Sequence, residues 1–168
     1  AEVVVLEVND QLPRTFGDTQ INVQDVDFFV EYSQLPPTLP SPSPDDTALK
    51  IGENIAGLVE DGSTIQLGIG EIPNAAALSL RDKKDLGVHT EMMVDSMMEL
   101  YNMGVVTNKK KALYPGKFVC TFAMGSERLY KWLDNNPSVE FLRGKYVNDP
   151  CVVRQNSKMV SINTCIMV

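Results

Sequence analysis

Segments with the length and composition of β-strands alternate with helical patterns from residue 45 onward. Each predicted strand is separated from the next by a helix or a long connection, which is typical of parallel strands joined by crossovers. The predicted strands cover 63–67, 86–88, 118–122, 139–142 and 159–165, and the predicted helices cover 45–61, 73–80, 94–103 and a segment capped by Ser126. The pattern therefore predicts an α/β fold with an open, mainly parallel sheet flanked by helices.

The helix that begins at Asp45 or Asp46 carries an apolar stripe at Ile51, Ile55, Leu58 and Val59. These positions follow the i, i+4, i+7, i+8 spacing of one helix face. We expect this stripe to be the buried face of the helix, and Asp61-Gly62 to end the helix.

A proline-rich segment separates this alternation from the beginning of the chain. Five prolines lie between residues 36 and 44, interleaved with Ser and Thr, and they exclude a regular helix. We interpret residues 35–44 as an extended linker, residues 1–34 as the end of one domain and residues 45–168 as the first part of another. The chain begins and ends within apolar runs, so we expect it to be a fragment of a longer protein.

Composition excludes several classes of function. The net charge of -7 does not favour a nucleic-acid partner, because phosphate backbones are bound by clustered Lys and Arg. No apolar run reaches the roughly 18 residues of a membrane span, and no signal-peptide pattern is present, so we expect neither a membrane protein nor a secreted one. His89 is the single histidine, which leaves no second imidazole for a zinc site or a Ser-His pair. We expect the three cysteines, Cys120, Cys151 and Cys165, to be reduced thiols of the core.

The segment Gly68-Ile69-Gly70-Glu71-Ile72-Pro73 lies between a predicted strand and a predicted helix. Two glycines allow the backbone to turn sharply and to direct N–H groups at an anion near the positive end of the helix. An ordinary turn that needs glycine only for its geometry explains the same residues.

Glu91 follows the next predicted strand, about twenty residues after the glycines. Adjacent parallel strands end at the same edge of a sheet, so we expect Glu91 to face the crevice that the glycine loop lines. A dinucleotide-binding fold also places an acidic residue at this spacing, but Pro73 occupies the third glycine position of that motif. A solvent-exposed Glu91 without function is a further alternative, and Asp95 is interpreted as a capping or orienting residue.

Two other groups have structural explanations. The methionines between residues 92 and 103 share a helical segment with Leu100 and Tyr101, which favours a core role with one methionine beside a pocket. Lys109, Lys110 and Lys111 form a basic run that is expected to be a solvated turn, with a phosphate contact as the alternative.

Five segments together resemble the acetyl-CoA hydrolase/transferase family of CoA-transferases, and within it the 4-hydroxybutyrate CoA-transferases. In order they are QLGIGEIPNA at 66–75, GVHTEM at 87–92, FAMGS at 122–126, YVNDP at 146–150 and SINTC at 161–165. The family has two similar α/β halves. The resemblance implies that residues 1–34 end the N-terminal half and that residues 45–168 begin the C-terminal half, in a full protein with two lobes.

The resemblance also implies a mechanism and a set of site residues. Glu91 matches the family's nucleophile, which forms an acyl-glutamyl anhydride and then a glutamyl-CoA thioester, and Ile69 matches the backbone N–H that binds the oxyanion. Substrate or CoA contacts are implied at Gly68, Gly70, Met92, Gly125 and Ser126. The implied ligands are an acyl-CoA and a small carboxylate, with CoA as substrate and no metal or permanently bound cofactor. A homodimer in the cytoplasm or in mitochondria is expected.

Three functions remain open at this point. The first is CoA transfer between a short-chain acyl-CoA (4-hydroxybutyryl-, butyryl- or acetyl-CoA) and a carboxylate such as acetate. The second is acyl-CoA hydrolysis, in which water intercepts the glutamyl intermediate. The third, from a different class, is a non-catalytic or nucleotide-binding α/β module.

Overall fold

The computed structural model describes residues 1–39 and 43–164. Within them the chain is an α/β protein in which every paired strand runs parallel to its neighbour. The strands are β1 (Val5–Val8), β2 (Phe16–Gly17), β3 (Phe28–Glu31), β4 (Thr64–Leu67), β5 (Gly87–Val88), β6 (Met92–Met93), β7 (Phe118–Cys120), β8 (Phe122–Ala123), β9 (Val139–Phe141) and β10 (Met159–Ile162). The helices are α1 (Asp46–Leu58), α2 (Glu71–Ser79), α3 (Asp95–Asn102), α4 (Glu127–Leu133), α5 (Gly144–Val147) and α6 (Pro150–Val153).

Two three-stranded sheets form the centre of the fold. One has the order β10-β4-β5 and the other β2-β9-β7, and a parallel bridge between His89 and Val119 joins them. Strands β6 and β8 form a short pair beyond that bridge. The hydrophobic core lies between these strands and helices α1 to α4, and its fully buried members include Ile65, Leu80, Met97, Phe118 and Leu129. The predicted α/β class with a mainly parallel sheet is confirmed.

Helix α1 begins where the sequence predicts, because the Asp45 side chain accepts a hydrogen bond from the Ala48 N–H at 2.7 Å. The predicted buried stripe is wrong in part. Val59 is buried and Ile55 half-buried, but Ile51 is 36% exposed and Leu58 is 80% exposed. The buried face instead consists of small residues, Ala48, Gly52 and Ala56. A β-carbon at Gly52 would lie 2.6 Å from the backbone carbonyl of Ala75 in α2, so small residues are needed where the two helices meet.

Helices α2, α3 and α4 agree with their predicted positions to within about two residues, whereas the short helices α5 and α6 were not predicted. Helix α2 begins at Glu71, with Pro73 in its first turn, and α3 ends before Gly104, whose φ is +78°. The Ser126 side chain caps α4 by accepting from the Leu129 N–H. Methionines Met92, Met93, Met97 and Met98 are all buried, as predicted, whereas Met103 is 54% exposed.

Residues 1–34 contain the three strands β1, β2 and β3. Strands β1 and β3 make a two-stranded sheet whose apolar side chains, Val5, Phe28 and Phe29 among them, are exposed. Strand β2 was missed because it has only two residues. It is the edge strand that pairs with β9, and the lack of a side chain at Gly17 allows close contact with the Phe141 backbone.

Residues 35–39 and 43–44 contain no helix or strand, in agreement with an extended segment. The rest of the predicted linker, residues 40–42, lies outside the described residues. Cys120 is buried as predicted, but Cys151 is exposed on the short helix α6, so its assignment to the core is wrong. Cys165 lies outside the described residues. In the part of the chain that is described, no helix has the length and hydropathy to span a membrane.

Candidate active site

The glycine loop, residues 68–70, connects β4 to α2. Gly70 adopts a φ of +123°, which a residue with a side chain rarely tolerates, and it directly precedes the first residue of α2. The Gly68 N–H donates to the Ile162 carbonyl at 2.8 Å, so the loop is anchored on the end of β10. The Ile69 side chain is 62% exposed, and within residues 1–39 and 43–164 its N–H makes no hydrogen bond. Within the described residues the N–H groups of Ile69 and Gly70 therefore have no hydrogen-bond acceptor, and both lie beside the N-terminus of α2.

Glu91 lies in the bend between β5 and β6. Its backbone carbonyl accepts from the N–H groups of Thr121 and Phe122, at 2.8 and 3.2 Å. Its side chain is exposed and has no hydrogen bond or ion pair with any of the described residues. The backbone of Glu91 is thus held by the neighbouring strand, while the carboxylate has no partner among the described residues.

The glycine loop and Glu91 lie at the same edge of the sheet. They follow β4 and β5, which pair in parallel with Thr64 opposite Gly87 and Ile65 opposite Val88. The Thr90 hydroxyl also donates to the Leu67 carbonyl at 3.2 Å, which links the residue before Glu91 to the residue before Gly68. This shared edge follows from the parallel pairing, as the sequence predicted.

A mostly apolar cavity of about 380 Å³ opens at the glycine loop. Five of the predicted site residues meet there: Gly68, Ile69, Gly70, Met92 and Gly125. Its other lining residues are Leu39, Asn74, Val94, Asp95 and Met124. Such a cavity suits the apolar part of a small ligand, with few polar groups to orient it.

Glu91 lines a neighbouring cavity of about 250 Å³ rather than the cavity at the glycine loop, so the expectation that it faces the crevice lined by that loop is wrong. The second cavity is more polar, and its other lining residues are Gln66, His89, Thr90, Val147, Asn148, Val153, Met159 and Ser161. The segment from Thr90 to Met92 separates the two cavities, with Glu91 on one side and Met92 on the other.

Ser126 makes hydrogen bonds to Asp95 within the fold. Its N–H donates to Asp95 Oδ2 at 2.8 Å, and its hydroxyl donates to Asp95 Oδ1. A β-carbon at Gly125 would overlap the same carboxylate. Asp95 thus has the orienting role expected for it, because it fixes the turn that forms one wall of the larger cavity.

Leu39 is a lining residue that sequence reasoning missed. Its N–H donates to the Gly125 carbonyl at 2.9 Å, and the nearby Tyr130 hydroxyl donates to the Pro37 carbonyl at 2.6 Å. The proline-rich segment is thereby bound to the wall of the cavity. A single leucine among prolines gives no signal that distinguishes such a contact from a free linker.

A buried polar layer lies beneath Glu91, and the sequence did not predict it. His89 is 1% exposed, with Nε2 2.8 Å from the Val147 carbonyl and Nδ1 3.3 Å from Asn156 Nδ2. Because Val147 offers only an acceptor, Nε2 carries the proton and Nδ1 accepts from the amide. Burial lowers the pKa of His89, the Val147 contact raises it by less, and the charge of Lys111 lowers it further. His89 is therefore a neutral structural residue.

Lys111 is also buried, so the prediction that it belongs to a solvated turn is wrong. Lys109 and Lys110 are exposed, but Lys111 is 4% exposed and donates to the carbonyls of Val88 and Lys117, both at 2.7 Å. Burial lowers its pKa to about 7. Its stem packs where Gly87 has no side chain. A run of three lysines gives no indication of which one turns inward.

Comparisons with known proteins agree on the class of protein that this chain resembles. Residues 125–168 match the family model of the acetyl-CoA hydrolase/transferase C-terminal domain. The chain is 51% identical to the 4-hydroxybutyrate coenzyme A transferase of Clostridium kluyveri over 168 residues, which are 100% of this chain and 39% of that protein. It is 45% identical to the succinyl-CoA:acetate/propanoyl-CoA:succinate CoA transferase of Fasciola hepatica, over 98% of this chain and 35% of that protein.

A solved structure has the same fold as this chain. The crystal structure of a 4-hydroxybutyrate CoA-transferase from Porphyromonas gingivalis superposes with a TM-score of 0.95 at 40% identity, and the match covers 99% of this chain and 42% of that one. The chain therefore spans about two-fifths of the length of the proteins it matches.

Proposed function

From the similarity of this chain to CoA transferases along its whole length, we propose that the protein carrying it transfers CoA between a short-chain acyl-CoA and a carboxylate such as acetate. The donors we propose are 4-hydroxybutyryl-, butyryl- or acetyl-CoA. The observation that carries the proposal is the free carboxylate of Glu91, which follows β5 at the edge where the glycine loop follows β4.

Glu91 is the nucleophile in this proposal. Its carboxylate attacks the thioester carbonyl, which gives an acyl-glutamyl anhydride and CoA thiolate. The thiolate then attacks the glutamyl carbonyl of the anhydride, which forms the glutamyl-CoA thioester and releases the first carboxylate. The acceptor carboxylate attacks this thioester, and the same two steps in reverse regenerate Glu91 and give the new acyl-CoA. Covalent catalysis thus divides one transfer into two exchanges.

The glycine loop supplies electrostatic stabilisation in this proposal. Each attack places negative charge on a carbonyl oxygen, and the free N–H of Ile69 is the donor for it. Removal of one such donor costs other enzymes roughly 3 kcal/mol of transition-state stabilisation. Gly68, Gly70, Met92 and Gly125 form the wall of the cavity that receives the substrate, and Ser126 supports that wall through Asp95.

The organisation of the full protein is part of the same proposal. Residues 1–34 end an N-terminal half, residues 35–44 link the halves, and residues 45–168 begin a C-terminal half. We also propose a homodimer located in the cytoplasm or in mitochondria. The hydrogen bond of Leu39 to Gly125 supports a linker that is fixed on the C-terminal half beside the site.

Substitution of Glu91 in the full-length protein tests the proposal. Glu91→Gln keeps the shape of the side chain but cannot form the anhydride, so CoA exchange between acetate and butyryl-CoA should be lost. Glu91→Asp withdraws the carboxylate by about 1 Å and should cost roughly a hundredfold. Glu99→Gln, which removes another exposed carboxylate, is the matched control and should leave exchange unchanged.

Trapping experiments distinguish the alternatives. Borohydride or hydroxylamine should inactivate the wild-type protein only in the presence of acyl-CoA, because only the enzyme thioester reacts. Release of CoA without a carboxylate acceptor would indicate a hydrolase. Normal transfer by Glu91→Gln, with the residue verified as Gln by mass spectrometry, would refute the covalent mechanism.

A further inference from the structure

A cluster of hydrogen-bonded side chains lies where β4 and β10 end, and neither the predicted site nor the proposed mechanism uses it. Gln66 and Ser161 are paired across the two strands, and Asn163 follows β10. The Asn163 amide donates to Gln66 Oε1 at 2.9 Å and to Ser161 Oγ at 3.1 Å, and Gln66 Nε2 lies 3.3 Å from Asn163 Oδ1. The Ser161 hydroxyl also donates to Gln66 Oε1. Each member thus fixes the other two.

This cluster lies between the cavity that Glu91 lines and the glycine loop. Gln66 and Ser161 line the cavity that Glu91 lines. Asn163 lies against the glycine loop so closely that a β-carbon at Gly68 would overlap its Oδ1. The next residue, Thr164, places its hydroxyl 3.2 Å from the position of a β-carbon at Gly70. The segment after β10 is therefore the surface on which the glycine loop rests.

We propose that Asn163, held by Gln66 and Ser161, is a positioning residue that sets the place of the Ile69 N–H relative to Glu91. This inference rests on the proposed function. Gly68 has no side chain with which to fix the loop, so the position of the loop depends on the Ile162 carbonyl and the Asn163 amide beneath it. An oxyanion donor must lie within a few tenths of an ångström of its working distance.

The primary test is Asn163→Ala in the full-length protein, with kcat and KM measured for exchange between butyryl-CoA and acetate. A displaced donor weakens the transition state more than the bound substrate, so kcat should fall roughly 10- to 100-fold while KM changes less than about threefold. The matched control is Glu60→Gln, which removes the 2.6 Å contact with Lys158 near the opposite end of the same strand pair. This control should keep the wild-type kcat and KM.

A double variant tests the contact itself. Gly68→Ala alone should lower kcat, because the new methyl group displaces the loop from Asn163. In the Asn163→Ala background the overlapping oxygen is absent, so Gly68→Ala should cost several-fold less than it does in the wild type. Additive losses, or an unchanged kcat in Asn163→Ala, would overturn the proposal.

Amide hydrogen exchange of a peptide covering residues 67–71 provides a readout that does not depend on activity. Asn163→Ala should accelerate exchange in this peptide, and Glu60→Gln should not. If the wild-type protein transfers no CoA, the proposed function fails, and this exchange measurement alone decides the positioning role. Equal exchange rates in both variants would reject it.

Discussion

The two cysteines within the described residues differ in both exposure and chemistry. Cys120 lies in β7 and is fully buried, and this burial raises the pKa of its thiol to about 12, although the charge of Lys111 lowers it slightly. Cys151 is exposed on α6. Since the thiolate is the reactive form, both the burial and the raised pKa of Cys120 disfavour its reaction, whereas Cys151 is accessible to a reagent.

Alkylation of the native protein should therefore modify Cys151 and leave Cys120 unmodified. Iodoacetamide at pH 8 followed by peptide mass spectrometry measures the two sites separately. In denaturant both sites should react, which serves as the control. Modification of native Cys120 at a rate similar to that of Cys151 would contradict its burial in β7.

At the scale of elements, helices α1 and α2 are in close contact. A β-carbon at Gly52 would lie 2.6 Å from the Ala75 carbonyl and 2.8 Å from the Ala76 nitrogen, and these are backbone atoms of α2. Backbone atoms cannot move aside cheaply, so the contact determines how closely α2, and with it the glycine loop, is held.

Gly52→Ala should lower the free energy of unfolding by about 1–3 kcal/mol, since overpacking outweighs the gain in helix propensity. The same helix offers a matched control at Gly57, where no atom lies within 4 Å of an added β-carbon. Gly57→Ala should stabilise the protein by up to about 1 kcal/mol. Urea denaturation of both variants measures the difference, and equal effects would show that the two helices are not in close contact.

The helix contact illustrates what sequence patterns could and could not predict. Caps were predictable because Asp45 and Ser126 act on N–H groups three residues away, and local chemistry determines that choice. The buried face of α1 was not, because the pattern of apolar residues favoured Ile51 and Leu58 while the close approach of α2 required small residues. The partner of a helix is a tertiary property.

In the candidate site, too, some features could be predicted from the sequence and others could not. The shared edge of Glu91 and the glycine loop follows from parallel pairing, so spacing along the chain was sufficient to predict it. The contacts of Leu39, Lys111 and Asn163 join segments that are distant in sequence, and no local pattern marks them. The two-residue strand β2 was likewise too short to give a periodic signal.

At the scale of the whole molecule, the buried polar layer makes stability depend on pH. His89 is the single histidine of the chain, and burial holds its pKa below the usual 6.5. Below pH 6.5 the unfolded chain therefore binds a proton that the folded chain excludes. The free energy of unfolding decreases as the pH is lowered, until the pKa of the folded state is reached. Above pH 6.5 both states are neutral at this residue.

His89→Gln should remove this loss between pH 6.5 and 5, because an amide does not titrate and still offers a donor and an acceptor. Guanidinium denaturation of both proteins at half-unit steps of pH measures the difference in slope. A wild-type slope that persists in the variant would assign the acid sensitivity to carboxylates instead.

Lys111 makes stability depend on pH above neutrality. Burial lowers its pKa from the ordinary 10.5 to about 7. Between these values the unfolded chain binds a proton that the folded chain lacks, so stability rises as pH increases from about 7. Above pH 9 the raised pKa of Cys120 works against this, because the unfolded thiol loses its proton first. The clearest window is therefore pH 7 to 9.

Lys111→Met should abolish the rise in that window, where a single titrating group contributes at most about 1.4 kcal/mol per pH unit. The variant also leaves the carbonyls of Val88 and Lys117 without their donor, so its stability at any one pH is not informative. The slope of the unfolding free energy between pH 7 and 9 is the measurement, with Lys110→Met, an exposed neighbour, as the control that should keep the wild-type slope. If Lys111→Met and Lys110→Met have the same slope, the pKa of Lys111 is not lowered on folding, and its enclosure beside the carbonyls of Val88 and Lys117 does not destabilise the ammonium.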